Sequence, residues 1–175
     1  MSIVKGQRSK VKGFYIGRFQ PFHNGHLSAV KQSLKDVDFL YIGIGSAQYS
    51  YTPENPFTAE ERQKMIQDAL TENGITEKQF KIIPVPDIHS NPKWTAHVHS
   101  LIPRFDVVFV GENGLVKELF EKYDTVSVKI VKKEVPVCAT GIRDAMKNRK
   151  DWKKYLSKST IGYLEKIETV KRIRT

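Results

Sequence analysis

The tightest constraint on the fold is a series of short apolar runs, each followed by a turn and then by a stretch with helical spacing. Phe39–Gly45 reads FLYIGIG and is nearly continuous in apolar character. A half-solvated strand alternates, whereas an unbroken run belongs to a strand covered on both faces, as in a buried parallel sheet. Lys12–Gly17 (KGFYIG) and Phe105–Val110 (FDVVFV) read as further short apolar strands, a third strand is predicted over Phe80–Val85, and Val126–Val131 alternates as an outer strand should. Between these runs, Leu27, Val30, Leu34 and Val37 share one helical face, as do Met65, Ile66, Ala69 and Leu70. Thr58 stands three residues before Glu61, the spacing of a capping box, and Asn73-Gly74 closes that helix. A short helix is predicted over Lys93–Leu101. Leu115, Val116, Leu119 and Phe120 give the next helix its buried stripe. In the tail, Ser159 is an N-cap candidate ahead of Ile161, Leu164, Ile167 and Val170.

Strands alternating with helices predict an α/β chain: a Rossmann-like open parallel sheet of about five strands, helices on both faces, and a C-terminal helical segment. Sheets of this kind take ligands beyond the carboxyl ends of their strands, where strand order reverses. The loops after Gly17, Gly45, Val85 and Val110 are therefore the places to look. The 175 residues fit one domain, with a basic tail over residues 1–11 and a helical part over 140–175.

The formal net charge is +10, from 29 Lys and Arg against 19 Asp and Glu. Its location matters more than its sum. Residues 1–12 carry four positive charges and no negative one, residues 147–158 six against one, and residues 171–174 three, so the remainder is slightly negative. The excess lies outside the distinctive segments and reads as a solvating surface, so no nucleic-acid partner is expected, although lysines beside a pocket would concentrate a phosphate ligand. A single cysteine, Cys138, rules out an internal disulfide and a thiolate-bound structural zinc. No apolar run reaches the ~20 residues of a membrane span, and MSIVKGQRSK lacks the apolar stretch of a secretion signal. A soluble cytoplasmic protein is the expectation.

The sharpest local signal is GRFQPFHNGH, Gly17 to His26. Two imidazoles three residues apart, with Gly25 between them, can converge on one anion while backbone passes close to it, and the adjoining helix N-terminus adds free N–H groups. Arg18 supplies a further phosphate contact. Phosphate is favoured over zinc, because no second ligand spacing is present, though His89, His97 and His99 are available to approach in space. Arg143 beside Thr140 and Gly141 is a second candidate anion ligand. Trp94, in a polar, proline-bounded segment, reads either as a core aromatic or as a stacking platform. His97 and His99 read as structural or rim residues and Cys138 as inert. Gly43-Ile44-Gly45 is only a fragment of a dinucleotide fingerprint, which argues against an oxidoreductase.

At these residues the chain resembles the archaeal-type nicotinamide-mononucleotide adenylyltransferases, within the nucleotidyltransferase superfamily whose hallmark is HxGH. The resemblance runs in order from GRFQPFHNGH through Gly45–Gln48, Asn55–Thr58 with Glu61-Arg62, Asn91–Trp94 with His97, and Thr140–Arg143. It implies that His23 and His26 bind ATP phosphates, with His26 steadying charge at the α-phosphorus, and that Arg18 and Arg143, assisted by Thr140, hold the triphosphate. Gly17, Phe19, Gln20, Gly25, Thr140 and Gly141 are implied nucleotide contacts. Ser46, Gln48, Asn55, Phe57, Arg62, Asn91 and Trp94 are implied substrate contacts, with the nicotinamide ring on Trp94. The implied reactants are ATP, nicotinamide mononucleotide, NAD and pyrophosphate, with Mg²⁺ accompanying ATP and its protein ligands unknown. A homo-oligomer, often a hexamer, engaged in cytoplasmic NAD biosynthesis is implied as well. Cys138 where the family usually has Ser, Tyr51 where it often has His, and Glu60 where it has Gly depart from the pattern. Transfer to another phosphorylated acceptor stays open at this point, as does the more remote reading of a basic nucleic-acid-binding protein.

Overall fold

The computed structural model describes residues 9–174; most of the expected basic tail, residues 1–8, lies outside them. Five strands form one sheet: β1 (Lys12–Gly17), β2 (Phe39–Gly45), β3 (Phe80–Val85), β4 (Val107–Val110) and β5 (Ser127–Ile130). Their order is β3-β2-β1-β4-β5 and all pairs are parallel. The chain moves outward from β1 to β3, then crosses back to lay β4 on the other side of β1, so strand order reverses at β1. That reversal opens a crevice at the carboxyl end of β1. Pro84 is tolerated within β3 because β3 is an edge strand.

Alternate residues of each strand feed two cores. Tyr15, Leu40, Ile42, Ile44 and Phe109 face one side, against α1 (Asn24–Asp36), α2 (Ala59–Glu72) and the C-terminal helices α5 (Ala139–Lys147) and α6 (Lys158–Lys166). Phe14, Tyr41, Val85, Val108 and Val110 face the other, against α3 (Asn91–Leu101) and α4 (Leu115–Tyr123). Each fully buried side chain of this size stabilises by roughly 1.5–3 kcal/mol. A final helix, α7 (Thr169–Arg174), completes the chain. No described helix is long and apolar enough to cross a membrane.

Several boundaries differ from the sequence expectation. The fourth strand begins at Val107, because Phe105 turns away to pack on Phe14 at 5.0 Å and on His99 at 4.8 Å, while Asp106 accepts from the Lys12 N–H. The fifth spans Ser127–Ile130 only. Helix α3 starts at Asn91 rather than Lys93, with Pro92 in the first turn, where its missing N–H has no partner to lose. Ser157, not Ser159, caps α6, and the Glu72 carboxylate accepts from the N–H groups of Lys158 and Ser159. The tail is two helices, broken at Glu168, which has φ +50°. Leu115, expected in the core, is 54 % exposed.

Candidate active site

The loop after β1 returns the chain to start α1, and the two motif histidines make that start. His23 is the N-cap and His26 the third helical residue, in a capping box built from imidazoles. Nδ1 of His23 accepts from the N–H of Gly25 at 3.1 Å and of His26 at 3.4 Å. Nδ1 of His26 accepts from the N–H of His23 at 3.3 Å. With both Nδ1 lone pairs committed, each neutral ring carries its proton on Nε2. The rings stack with centroids 3.6 Å apart, and Phe19 meets the His26 ring edge-on at 4.8 Å. Burial pushes His23 down to about 4 and holds His26 well below the ordinary imidazole value, with the neighbouring His23 ring adding to the second effect. Both are neutral donors at pH 7. A Cβ on Gly25 would stand 3.0 Å from the His23 ring and 3.2 Å from Val137, so any larger residue here must push the imidazole or Val137 aside by a few tenths of an ångström.

The histidines open on a cavity of about 330 Å³, with Arg18, Thr140 and Arg143 on its other walls. Arg143 is almost completely buried; it donates to the Gln20 carbonyl at 2.8 Å and to Thr140 Oγ1 at 3.4 Å. Burial, then the positive charge of Arg18, lowers its pKa from the ordinary guanidinium value. Cys138 caps α5 by accepting from the Gly141 N–H at 3.4 Å, the position in which a serine would serve. A second cavity of about 430 Å³ lies beyond β2 and β3 and is lined by Arg18, Ser46, Asp87, Asn91 and Trp94. A third, of about 250 Å³, lies between the ends of β1 and β4, bordered by Gly17, His26, Gly111 and Asn113. Arg18 is common to the first two, Gly17 to the second and third, and His26 to the first and third. The three spaces therefore meet at the carboxyl end of β1.

Six of the expected contact residues, Arg62, Phe57, Asn55, Gln48, Gly25 and Gly141, line none of the three cavities. Arg62 is fully buried and donates to the carbonyls of Gly45 at 2.8 Å, Arg18 at 3.0 Å, Thr58 at 3.1 Å and Ser46 at 3.3 Å. Burial lowers it to about 10, so it stays charged, and it organises the loops after β1 and β2. Phe57 is a core residue whose N–H and carbonyl are both taken by the buried Gln20 amide, at 2.9 and 3.1 Å. Phe19, buried at φ +53°, does line the phosphate cavity. Asn55 lines none of the three cavities, and its Oδ1 is buried without a hydrogen-bond partner.

The zinc alternative finds no support in the histidines' positions. His89 pairs with the Tyr49 hydroxyl at 2.7 Å, His97 with the Pro86 carbonyl at 2.9 Å, and His99 with Asp124 at 2.8 Å. Among the described residues no group of three or more His, Cys, Asp or Glu could hold a metal ion. Asp87 is a cavity residue that sequence reasoning did not single out, and Leu115, expected in the buried stripe of its helix, lines the same cavity. Asp87 follows β3 by two residues in a loop recognisable as a site loop, and that position was its only signal.

A parallel sheet that reverses at β1, with paired imidazoles and two arginines beneath that point, defines a nucleotidyltransferase-type α/β domain. The cytidylyltransferase-like family model matches residues 14–161. Curated relatives named nicotinamide-nucleotide adenylyltransferase include one from Thermococcus onnurineus, 43 % identical over 165 residues that cover 93 % of this chain and 87 % of that one. Another, from Archaeoglobus fulgidus, is 43 % identical over 170 residues, covering 94 % and 96 %. A solved bifunctional NMN adenylyltransferase/ADP ribose pyrophosphatase from Francisella tularensis shares the fold, with TM-score 0.78 and 24 % identity over 94 % of this chain. This chain spans 52 % of that longer one. The protein belongs to the nicotinamide-nucleotide adenylyltransferases of the archaeal type.

Proposed function

We propose that the protein transfers the adenylyl group of ATP to nicotinamide mononucleotide, giving NAD and pyrophosphate. The observation that carries this reading is the junction of three cavities at Arg18, Gly17 and His26, one lined by anion-binding groups and one by an aromatic platform. The triphosphate occupies the His23, His26, Arg18 and Arg143 cavity, the adenosine end the space between β1 and β4, and the pyridine end the Trp94 cavity. A phosphate oxygen of the acceptor attacks the α-phosphorus; the new P–O bond forms as the bond from the α-phosphorus to the bridging oxygen breaks, and pyrophosphate leaves with that electron pair. No protein nucleophile or strong base is needed, since the acceptor oxygen is already anionic. The chain contributes alignment and preorganised donors. The two Nε2–H groups are held in place by the helix start, and the guanidinium groups offset charge moving onto the leaving pyrophosphate.

A divalent cation fits this site only as a companion of the nucleotide, because the donors around the phosphate cavity are cationic or neutral and include no carboxylate. Mg²⁺ keeps several waters and binds substrate phosphates, so it enters as MgATP and supplies charge neutralisation there. A related solved structure from Francisella tularensis holds AMP and a manganese ion. We further propose a homo-oligomer acting in the cytoplasm, a reading supported by the family resemblance.

The test is pyrophosphate release from ATP with a panel of phosphorylated acceptors, followed by product identification. NAD formation with nicotinamide mononucleotide is the expected result. Release only with a different acceptor would replace the reading.

A further inference from the structure

The acceptor cavity has a charge pattern of its own. Among the described residues two formally charged side chains line it, Arg18 and Asp87. Arg18 also lines the phosphate cavity, so the cationic end is the one that opens toward the triphosphate. Asp87 is held firmly. Ser46 Oγ donates to its Oδ2 at 2.7 Å, the Gln48 amide donates to its carbonyl at 3.0 Å, and its own N–H returns to Gln48 Oε1 at 3.0 Å. Trp94 lines the same cavity, set edge-to-face against Phe120 at 5.9 Å.

A pyridine mononucleotide is itself dipolar, with a phosphate at one end and a ring nitrogen of fixed positive charge at the other. The arginine end suits the phosphate, and an aromatic face with a carboxylate suits the pyridinium. Nicotinamide leaves the ring system positive. The carboxylate of nicotinic acid cancels that charge and brings a negative group into the space that already holds Asp87. Resting on the function proposed above, we infer that Asp87 sets the preference for nicotinamide over nicotinic acid mononucleotide, by attracting the pyridinium and repelling the acid. Selection here works through an unfavourable charge placed against the competitor. For a pair of like charges in a partly desolvated cleft the discrimination is roughly ten- to a hundredfold.

The experiment compares kcat/KM for the two mononucleotides, with MgATP saturating, in the wild type, Asp87→Asn and Asp87→Ala, at low and high salt. The wild type is expected to prefer nicotinamide by at least about tenfold. Asp87→Asn, which keeps an acceptor for Ser46, should narrow the ratio several-fold, chiefly by lowering KM for the acid. Salt should shrink the wild-type preference, and this readout needs no variant, so it decides even if the substitutions unfold the chain. Equal turnover of both acceptors by the wild type, or an unchanged ratio in Asp87→Asn, overturns the assignment of Asp87. Failure of both acceptors to release pyrophosphate overturns the function itself.

Discussion

Nη1 of Arg62 lies 2.8 Å from the Gly45 carbonyl and bridges from there to the carbonyl of Arg18 at 3.0 Å, so one buried guanidinium fixes the carboxyl ends of the two central strands relative to each other. Replacing Arg62 by Met is expected to leave these buried carbonyls unpaired and to cost about 3–5 kcal/mol. Urea unfolding measures it. A loss below about 1 kcal/mol would show that water satisfies those carbonyls instead.

Changing His26 to Ala is expected to lower kcat by about 10²–10³, with a much smaller effect on acceptor affinity, because its Nε2–H contact strengthens as charge develops. The substitution also removes one member of the capping box, at about 0.5–2 kcal/mol. Turnover at a temperature where the variant is fully folded by circular dichroism separates the two effects. Unchanged turnover would remove His26 from the mechanism.

Stability should depend on pH through the histidine pair. Burial depresses the His23 pKa from 6.5 to about 4, so the unfolded chain binds more protons than the folded one between those values. The contribution is complete above pH 6.5 and is lost as pH falls toward 4, at a size on the order of 3 kcal/mol. His26 shifts in the same direction. Denaturation midpoints measured from pH 7 to pH 4 should fall steeply in the wild type and less steeply in His23→Gln. Parallel slopes would place the titration elsewhere.

Trp94→Ala is expected to weaken nicotinamide mononucleotide binding about ten- to thirtyfold, as befits an aromatic platform under a cation, while leaving ATP binding in place. Calorimetry with each ligand separately checks this. Unaltered acceptor affinity would make Trp94 a packing residue against Phe120 alone.

Gly25→Ala should injure catalysis more than folding. Its Cβ would press on the His23 ring at 3.0 Å, displacing a donor whose placement the reaction needs. A drop in kcat of tenfold or more, with a melting temperature within a few degrees of wild type, is the expected pattern. Equal activity would mean that the ring can move without consequence.

The parts of this molecule legible in its sequence are those decided by near neighbours. The capping box of Thr58 and Glu61 is present as expected, because both partners lie within one turn. The strands and their order of appearance follow from short apolar runs and, for β5, from alternation. Ser157 rather than Ser159 caps α6, its Oγ accepting from the Thr160 N–H, while a carboxylate from Glu72, on another helix, accepts from the Ser159 N–H. No local pattern carries that information. Arg62 reads as an active-site cation in sequence, since nothing in its helix reveals that two distant loops close over it. Leu115 has the spacing of a core residue, but its place at the start of α4 leaves it over the cleft. Asp87 escaped notice for a related reason: a loop can be located from the strand before it, whereas the direction of its side chain depends on Ser46 and Gln48 across the sheet end.

The two imidazoles at the beginning of α1 cap the helix with their Nδ1 atoms and are the groups to which the proposed mechanism gives the phosphates. On the mechanism proposed above, a chain whose first helical turn has frayed has lost not a peripheral element but the donors assigned to the nucleotide. Loss of activity on heating is then expected to coincide with melting of that turn, and a nucleotide that grips those rings is expected to hold the turn shut.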